Sequence, residues 1–183
     1  MMQYIAIPDL FFRRPFFGNG ERKVGYDETT AFTEIMRHAY FVYDIAAVQL
    51  VELYKPWENP EEAISAVLSL WKEAKQEIAL LLRQRKRREA EGPMIHFTAH
   101  FLSVLHWMNG VGISSLQDMD QNMWHLPVKP INVGERILFI LDGPSHYHSF
   151  IQLSELYEEA EKQFLKQMVV KKTCLKRKKT SPL

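Results

Sequence analysis

Apolar residues recur at intervals of three and four through most of this chain, and the recurrence divides it into helical segments. Phe32, Ile35, Ala39, Val42, Ala46, Leu50 and Leu53 fall on one face of a helix over residues 28–54, while Phe41, Ile45 and Val48 make other faces apolar. That pattern predicts a central, widely buried helix ended by Pro56. Asn59 as N-cap, Pro60 at the first helical position and Glu62 three residues after the cap then start a second helix. Its stripe of Ile64, Val67, Leu68, Trp71, Ile78, Leu81 and Leu82 carries it to about Ala90, before Gly92-Pro93. A third helix over 94–108 is closed by Asn109-Gly110 as a left-handed turn.

Residues 111–130 hold Gly112, Asp118, Asp120, Pro127 and Pro130, and read as a structured connector with short turns near Leu116 and Trp124. Asn132 and Glu135 repeat the capping-box pattern ahead of the apolar run Ile137, Leu138, Phe139, Ile140 and Leu141, which Gly143-Pro144 ends. Such a run also fits a buried strand; the cap signal favours helix. Phe150, Leu153, Tyr157, Ala160 and Phe164 predict a long amphipathic helix to about Val170. Ahead of all these, residues 4–26 mix Phe11, Phe12, Phe16 and Phe17 with Pro8, Pro15, Gly18, Gly20 and Gly25, as in an irregular arm whose aromatics need a surface to cover. Alternating strand patterns are absent. The expected fold is all-α: a bundle of about five helices at 27–170, with the aromatic arm at 1–26 packing on it and a basic, disordered tail at 171–183.

With 183 residues, 46% hydrophobic and 25% charged, the chain fits one ordinary soluble globular domain. Only 8 glycines lower the prospect of Rossmann, P-loop and small-barrel folds. A single cysteine, Cys174, excludes an intrachain disulfide and a cysteine-based zinc cage. The first 17 residues lack the build of a secretory signal, and residues 39–54, the longest apolar stretch, carry Asp44 and Glu52 and are too short to span a membrane. A cytoplasmic protein without a transmembrane segment is expected. Six of the 23 basic residues and none of the 22 acidic ones lie in the last thirteen positions, so 17 bases face 22 acids in the rest, about −5 net.

Three stretches resemble a known family. His106-Trp107-Met108-Asn109-Gly110, the run from Lys129-Pro130 through Asn132, Glu135 and Arg136, and the run from Tyr147 through Gln152, Leu153 and Leu156 are similar to the YpoC-like family of uncharacterised Bacillus-type proteins. Pro56-Trp57-Glu58 and Pro15-Phe16-Phe17 share the resemblance, which extends from the arm to about Phe164. It implies no assigned activity and transfers no catalytic residue. Family genes lying near those for DNA repair, replication initiation and cell-wall synthesis imply, by association only, an accessory role in DNA metabolism or the cell envelope.

Candidate chemistry is sparse. His96 and His100, four apart on a helix, can aim at one ion, and His146 and His148 could add imidazoles, but no carboxylate completes the set and a plain polar helix face is the simpler reading. No Gly-x-Ser-x-Gly elbow is present, and Cys174 lacks a neighbourhood to position a base. Glu135, Arg136 and Asp142 could form a polar site, or cap a helix and pair with neighbours. Arg83, Arg85, Lys86, Arg87 and Arg88 fit a solvated C-terminal helix end, where cations suit the dipole. Together with Lys171, Lys172, Lys176, Arg177, Lys178 and Lys179 they could instead contact nucleic acid or another polyanion, without aromatics for base stacking. The arm's aromatics with Trp57, Trp107 and Trp124 cover the core or mark a partner surface.

The expected function is therefore non-enzymatic, cofactor-free binding of another protein. A nucleic-acid-associated accessory protein and a metal-dependent enzyme built on the histidines are the rivals.

Overall fold

The computed structural model describes residues 1–18 and 20–179, without the side chains of residues 120, 172 and 174–179. In chain order the elements are β1 (Gln3–Ala6), a 3-10 turn (Asp9–Phe11), β2 (Lys23–Tyr26), α1 (Phe32–His38), α2 (Val42–Val48), α3 (Pro60–Arg83), α4 (Arg87–Trp107), α5 (Met119–Trp124), α6 (Val133–Asp142) and α7 (Tyr147–Lys179). The fold is mostly helical, as expected, with seven helices among the described residues where about five were expected. None of them is long and apolar enough to cross a membrane.

α3 and α4 form an antiparallel hairpin, and α7 closes over both. Trp71 of α3 stacks on Tyr157 of α7 at 4.5 Å between ring centroids, and the Tyr157 hydroxyl donates to the Phe97 carbonyl of α4 at 2.7 Å. One aromatic stack thus locks three helices, and the Tyr157 hydroxyl is satisfied inside the core.

The arm does cover a surface: Ile5, Ile7, Phe11, Phe16, Phe17, Val24 and Tyr26 are buried in the common core. It is not wholly irregular, however, because β1 and β2 pair antiparallel with Gln3 opposite Tyr26 and Ile5 opposite Val24. Four residues per strand is too short an alternation to stand out in the sequence.

The predicted helix over 28–54 is two helices. Phe41 takes a left-handed backbone (φ 59°) between α1 and α2, and its ring then meets Phe11, Phe16 and Phe17 at 6.0, 5.3 and 6.2 Å. Tyr40 joins in by donating its hydroxyl to the Phe16 carbonyl. A continuous helix would bury Val42, Ile45 and Ala46 but would not also turn Tyr40 and Phe41 to the arm; packing overrides helix propensity here. The hairpin turn also lies elsewhere than expected. α3 ends at Arg83, with Arg85 left-handed (φ 60°) and the Lys86 amide reaching back to the Leu81 carbonyl, and α4 runs straight through Gly92-Pro93. That placement keeps Ala90 and Met94 fully buried on α4, while the helical bond that Pro93 cannot donate falls on exposed Glu89.

Pro60 opens α3 and Asn132 precedes α6, as expected, yet neither Asn59 nor Asn132 makes a side-chain cap bond, so the two capping boxes are not formed. Gly110 is left-handed (φ 75°) and ends α4 as predicted. α7 continues helical to Lys179, beyond the end expected at about Val170; the disorder expected of the tail falls, for residues 180–183, outside the described residues.

Candidate functional site

α6 buries Val133, Ile137 and Ile140 against the bundle and turns its other side outward. Leu138 and Phe139 lie on that outer side at 39% and 49% exposure, although both belong to a run apolar enough to be core. Exposed apolar groups flank them: Trp124 at the end of α5, Ile131 just before α6, and Tyr147 at the start of α7. Two open pockets follow the two edges of the helix. One of about 420 Å³ is lined by Phe139, Tyr147 and Ile151 with Arg136 and Gln152; the other, of about 490 Å³, by Trp124, Leu138 and Val133 with His125 and Lys129. Glu135 lines both.

The polar frame of this face is tightly bonded. Arg136 donates to Gln152 Oε1 at 2.8 Å and to Glu159 Oε1 at 2.7 Å, and reaches Glu155 at 3.3 Å. Lys129 donates to the Trp124 and Leu126 carbonyls at 2.8 and 2.7 Å and sits over the Trp124 ring. Asn109 at the end of α4 bonds both the N–H and the C=O of Val128, which fixes the connector just before Pro130. Pro130 and Leu153 are buried beneath. Of the residues that carried the family resemblance, Pro130, Asn132, Glu135, Arg136, Gln152 and Leu153 therefore gather around α6, with Asn109 and Gly110 holding its approach. Glu135 and Asp142 are exposed and have no ion pair among the described residues. The expected cap role of Glu135 is thus not observed, and Arg136 bridges to α7.

Trp107 belongs elsewhere. Its indole N–H donates to Asp44 Oδ1 at 3.1 Å, and the same fully buried carboxylate accepts from the Ile113 amide at 2.8 Å and the Ser103 hydroxyl at 3.1 Å. Burial pushes the Asp44 pKa up to about 6, partly offset by the three donors. In the sequence Asp44 stands only as a charge within an apolar stretch; an acid at a core-facing helical position is the signal that could have marked it.

His96 and His100 meet, but not as a metal site. His96 and His100 both donate an Nε2–H to the Met36 carbonyl, at 2.8 and 2.6 Å, which assigns their tautomers because a carbonyl only accepts. Met36 lies in the last turn of α1, and the break at Ala39 to Phe41 leaves its carbonyl without an intrahelical partner. The pair thus caps a helix end. His146 and His148 are exposed at the start of α7, and among the described residues no cluster of three or more His, Cys, Asp or Glu groups is placed to hold a metal ion.

Arg83, Arg85, Lys86, Arg87 and Arg88 are all exposed at the α3–α4 corner. Only Arg83 sits at a helix C-terminus as expected; Lys86 is the N-cap of α4, and Arg87 and Arg88 lie in its first turn, where the dipole disfavours cations. Lys171 is exposed on α7, and the side chains of Lys172, Cys174, Lys176, Arg177, Lys178 and Lys179 lie outside the described residues.

The family model described as "YpoC-like protein" matches residues 61–172, from α3 into the last third of α7 and without the arm. A protein of Bacillus subtilis (strain 168), "Uncharacterized protein YpoC", is 35% identical over 111 residues, which cover 61% of this chain and 68% of that protein. No solved structure matches the chain.

Proposed function

The chain belongs to the YpoC-like family, and we propose that it works by binding another protein on the outer face of α6, without catalysing a reaction of its own. The observation that carries this reading is the pair of pockets on either edge of α6, walled by Phe139, Tyr147, Trp124 and Leu138. Aromatic and aliphatic side chains held exposed on a hydrogen-bonded frame are the usual anchors of an interface. The family's matched segment contains the whole of this face. The setting is the cytoplasm, with an accessory role in DNA metabolism or cell-envelope machinery.

Affinity capture from the native bacterium tests the proposal when wild-type protein is compared with Phe139→Asp, both checked for equal melting temperature. A protein retained by the wild type and lost with the variant is the expected result. An identical set of captured proteins overturns it.

A second reading, a nucleic-acid-associated protein, draws support from the five exposed cations at the α3–α4 corner, of which only Lys86 has an acidic partner among the described residues, Glu89 at 3.7 Å. Sequence-blind duplex binding that falls steeply with salt, and falls further when Arg85, Arg87 and Arg88 are changed to Glu, is expected on this reading. Absence of binding at low salt removes it.

A further inference from the structure

The geometry points to a definite chemistry for the partner of the α6 face: a short amphipathic segment that places one apolar side chain in each pocket and a lysine or arginine between them, over Glu135. This inference rests on the protein-binding reading and adds the charge of what is bound.

Glu135 decides the charge. It is exposed and lines both pockets, so a segment bridging them passes over Glu135. The two cations bordering the face cannot serve it as they stand: Arg136 is committed to Gln152, Glu155 and Glu159, and Lys129 to two backbone carbonyls and the Trp124 ring. A wholly apolar segment would cover Glu135 and strip its water with no compensation, and burying an unpaired carboxylate is strongly unfavourable. An acidic segment would add repulsion from Glu135, which has no ion pair among the described residues. A cation between two apolar anchors satisfies all three constraints. The pockets, about 420 and 490 Å³ and open to solvent, are of the size that takes a small ligand or a large side chain.

The test uses the full chain and three labelled 14-residue peptides, followed by fluorescence anisotropy. One has leucines at helical spacing with lysines between them, one the same leucines with glutamates, and one the lysines with serines in place of leucine. The leucine–lysine peptide is expected to bind at least tenfold more tightly than either other peptide. Glu135→Lys should weaken it at least tenfold while leaving the leucine–glutamate peptide unweakened, and Phe139→Asp or Trp124→Ala should weaken both leucine peptides. Circular dichroism melting confirms that each variant is folded. Equal affinity for the lysine and glutamate versions of the leucine peptide overturns the charge assignment and leaves the docking face standing. Binding that ignores Glu135→Lys, Phe139→Asp and Trp124→Ala alike overturns the face as well, as does no binding of any peptide at millimolar concentration. A protein that sediments as a dimer, dissociated by Glu135→Lys, assigns the face to a second copy of this chain instead.

Discussion

Trp107 and Asp44, 63 residues apart, are joined by an indole N–H that donates to a carboxylate oxygen at 3.1 Å inside the core. The bond ties α4 to α2. Because the same carboxylate accepts from Ile113 in the connector and Ser103 one helical turn before Trp107, a single acid sets how three segments meet. Two of its donors, the Ile113 amide and the indole, share Oδ1, and the hydroxyl takes Oδ2.

Asp44→Ala leaves three buried donors without an acceptor, and each such loss costs on the order of 1–3 kcal/mol. The expected result is a destabilisation of roughly 3 kcal/mol or more in denaturant unfolding. Asp44→Asn retains an oxygen for Trp107 and Ile113 and offers an amide to the Ser103 oxygen, so it should cost far less. Equal losses for the two variants would show that the charge, and not the hydrogen bonds, matters at this position.

Stability should fall as the pH is lowered from about 6.5. Burial, and then the neighbouring His96, push the His100 pKa down to about 3 from its ordinary 6.5, and burial also lowers His96 and His106. The folded state holds these rings neutral while the unfolded chain takes up protons, so their contribution is complete above 6.5 and is lost on the way down toward 3. Asp44 has the opposite sign: with a folded pKa near 6 against an ordinary 3.8, its contribution is complete below 3.8 and is lost as the pH rises through 6. His100→Gln should therefore flatten the acid-side decline of melting temperature, and Asp44→Asn should steepen it. An acid-side slope that His100→Gln leaves unchanged contradicts the histidine assignment, and one that Asp44→Asn leaves unchanged contradicts that of Asp44.

Two asparagines flank helices and should respond differently. Asn59 makes no side-chain cap bond, so Asn59→Ala should change stability by no more than about 0.5 kcal/mol, the ordinary scatter of surface substitutions. Asn109→Ala removes the acceptor for the Val128 amide and two donated bonds, one of them to the Val128 carbonyl, and should cost about 1–2 kcal/mol. Urea unfolding of the pair checks this; a larger loss at Asn59 than at Asn109 would reverse it.

Protein purified without an affinity tag should contain well under one equivalent of zinc, iron, nickel or manganese, because His96 and His100 each use Nε2 on the Met36 carbonyl. Elemental analysis is the check. A full equivalent of metal, lost in His96→Ala, would mean that the pair binds it, through the Nδ1 atoms or by leaving Met36.

The sequence by itself determined that this chain is helical, that the long α7 exists, that Pro60 begins one helix and that Gly110 ends another, whereas for α6 it left a buried strand open and for the arm's aromatics a partner surface. These are local matters: a stripe at helical spacing or a glycine free to take positive φ acts within a few residues. Only the tertiary structure decided where the helices break. Phe41 and Arg85 are left-handed without being glycine, and Gly92-Pro93 lies within a helix, because burying Phe41 among the arm's rings and Ala90 with Met94 in the hairpin outweighs local preference. The partners of Asp44, of the His96–His100 pair and of Arg136 were equally out of reach, since a period reports which face is covered and not what covers it. The Met36 carbonyl awaits two histidines 60 and 64 residues away only because the helix stops after His38, and that stop is itself set by packing.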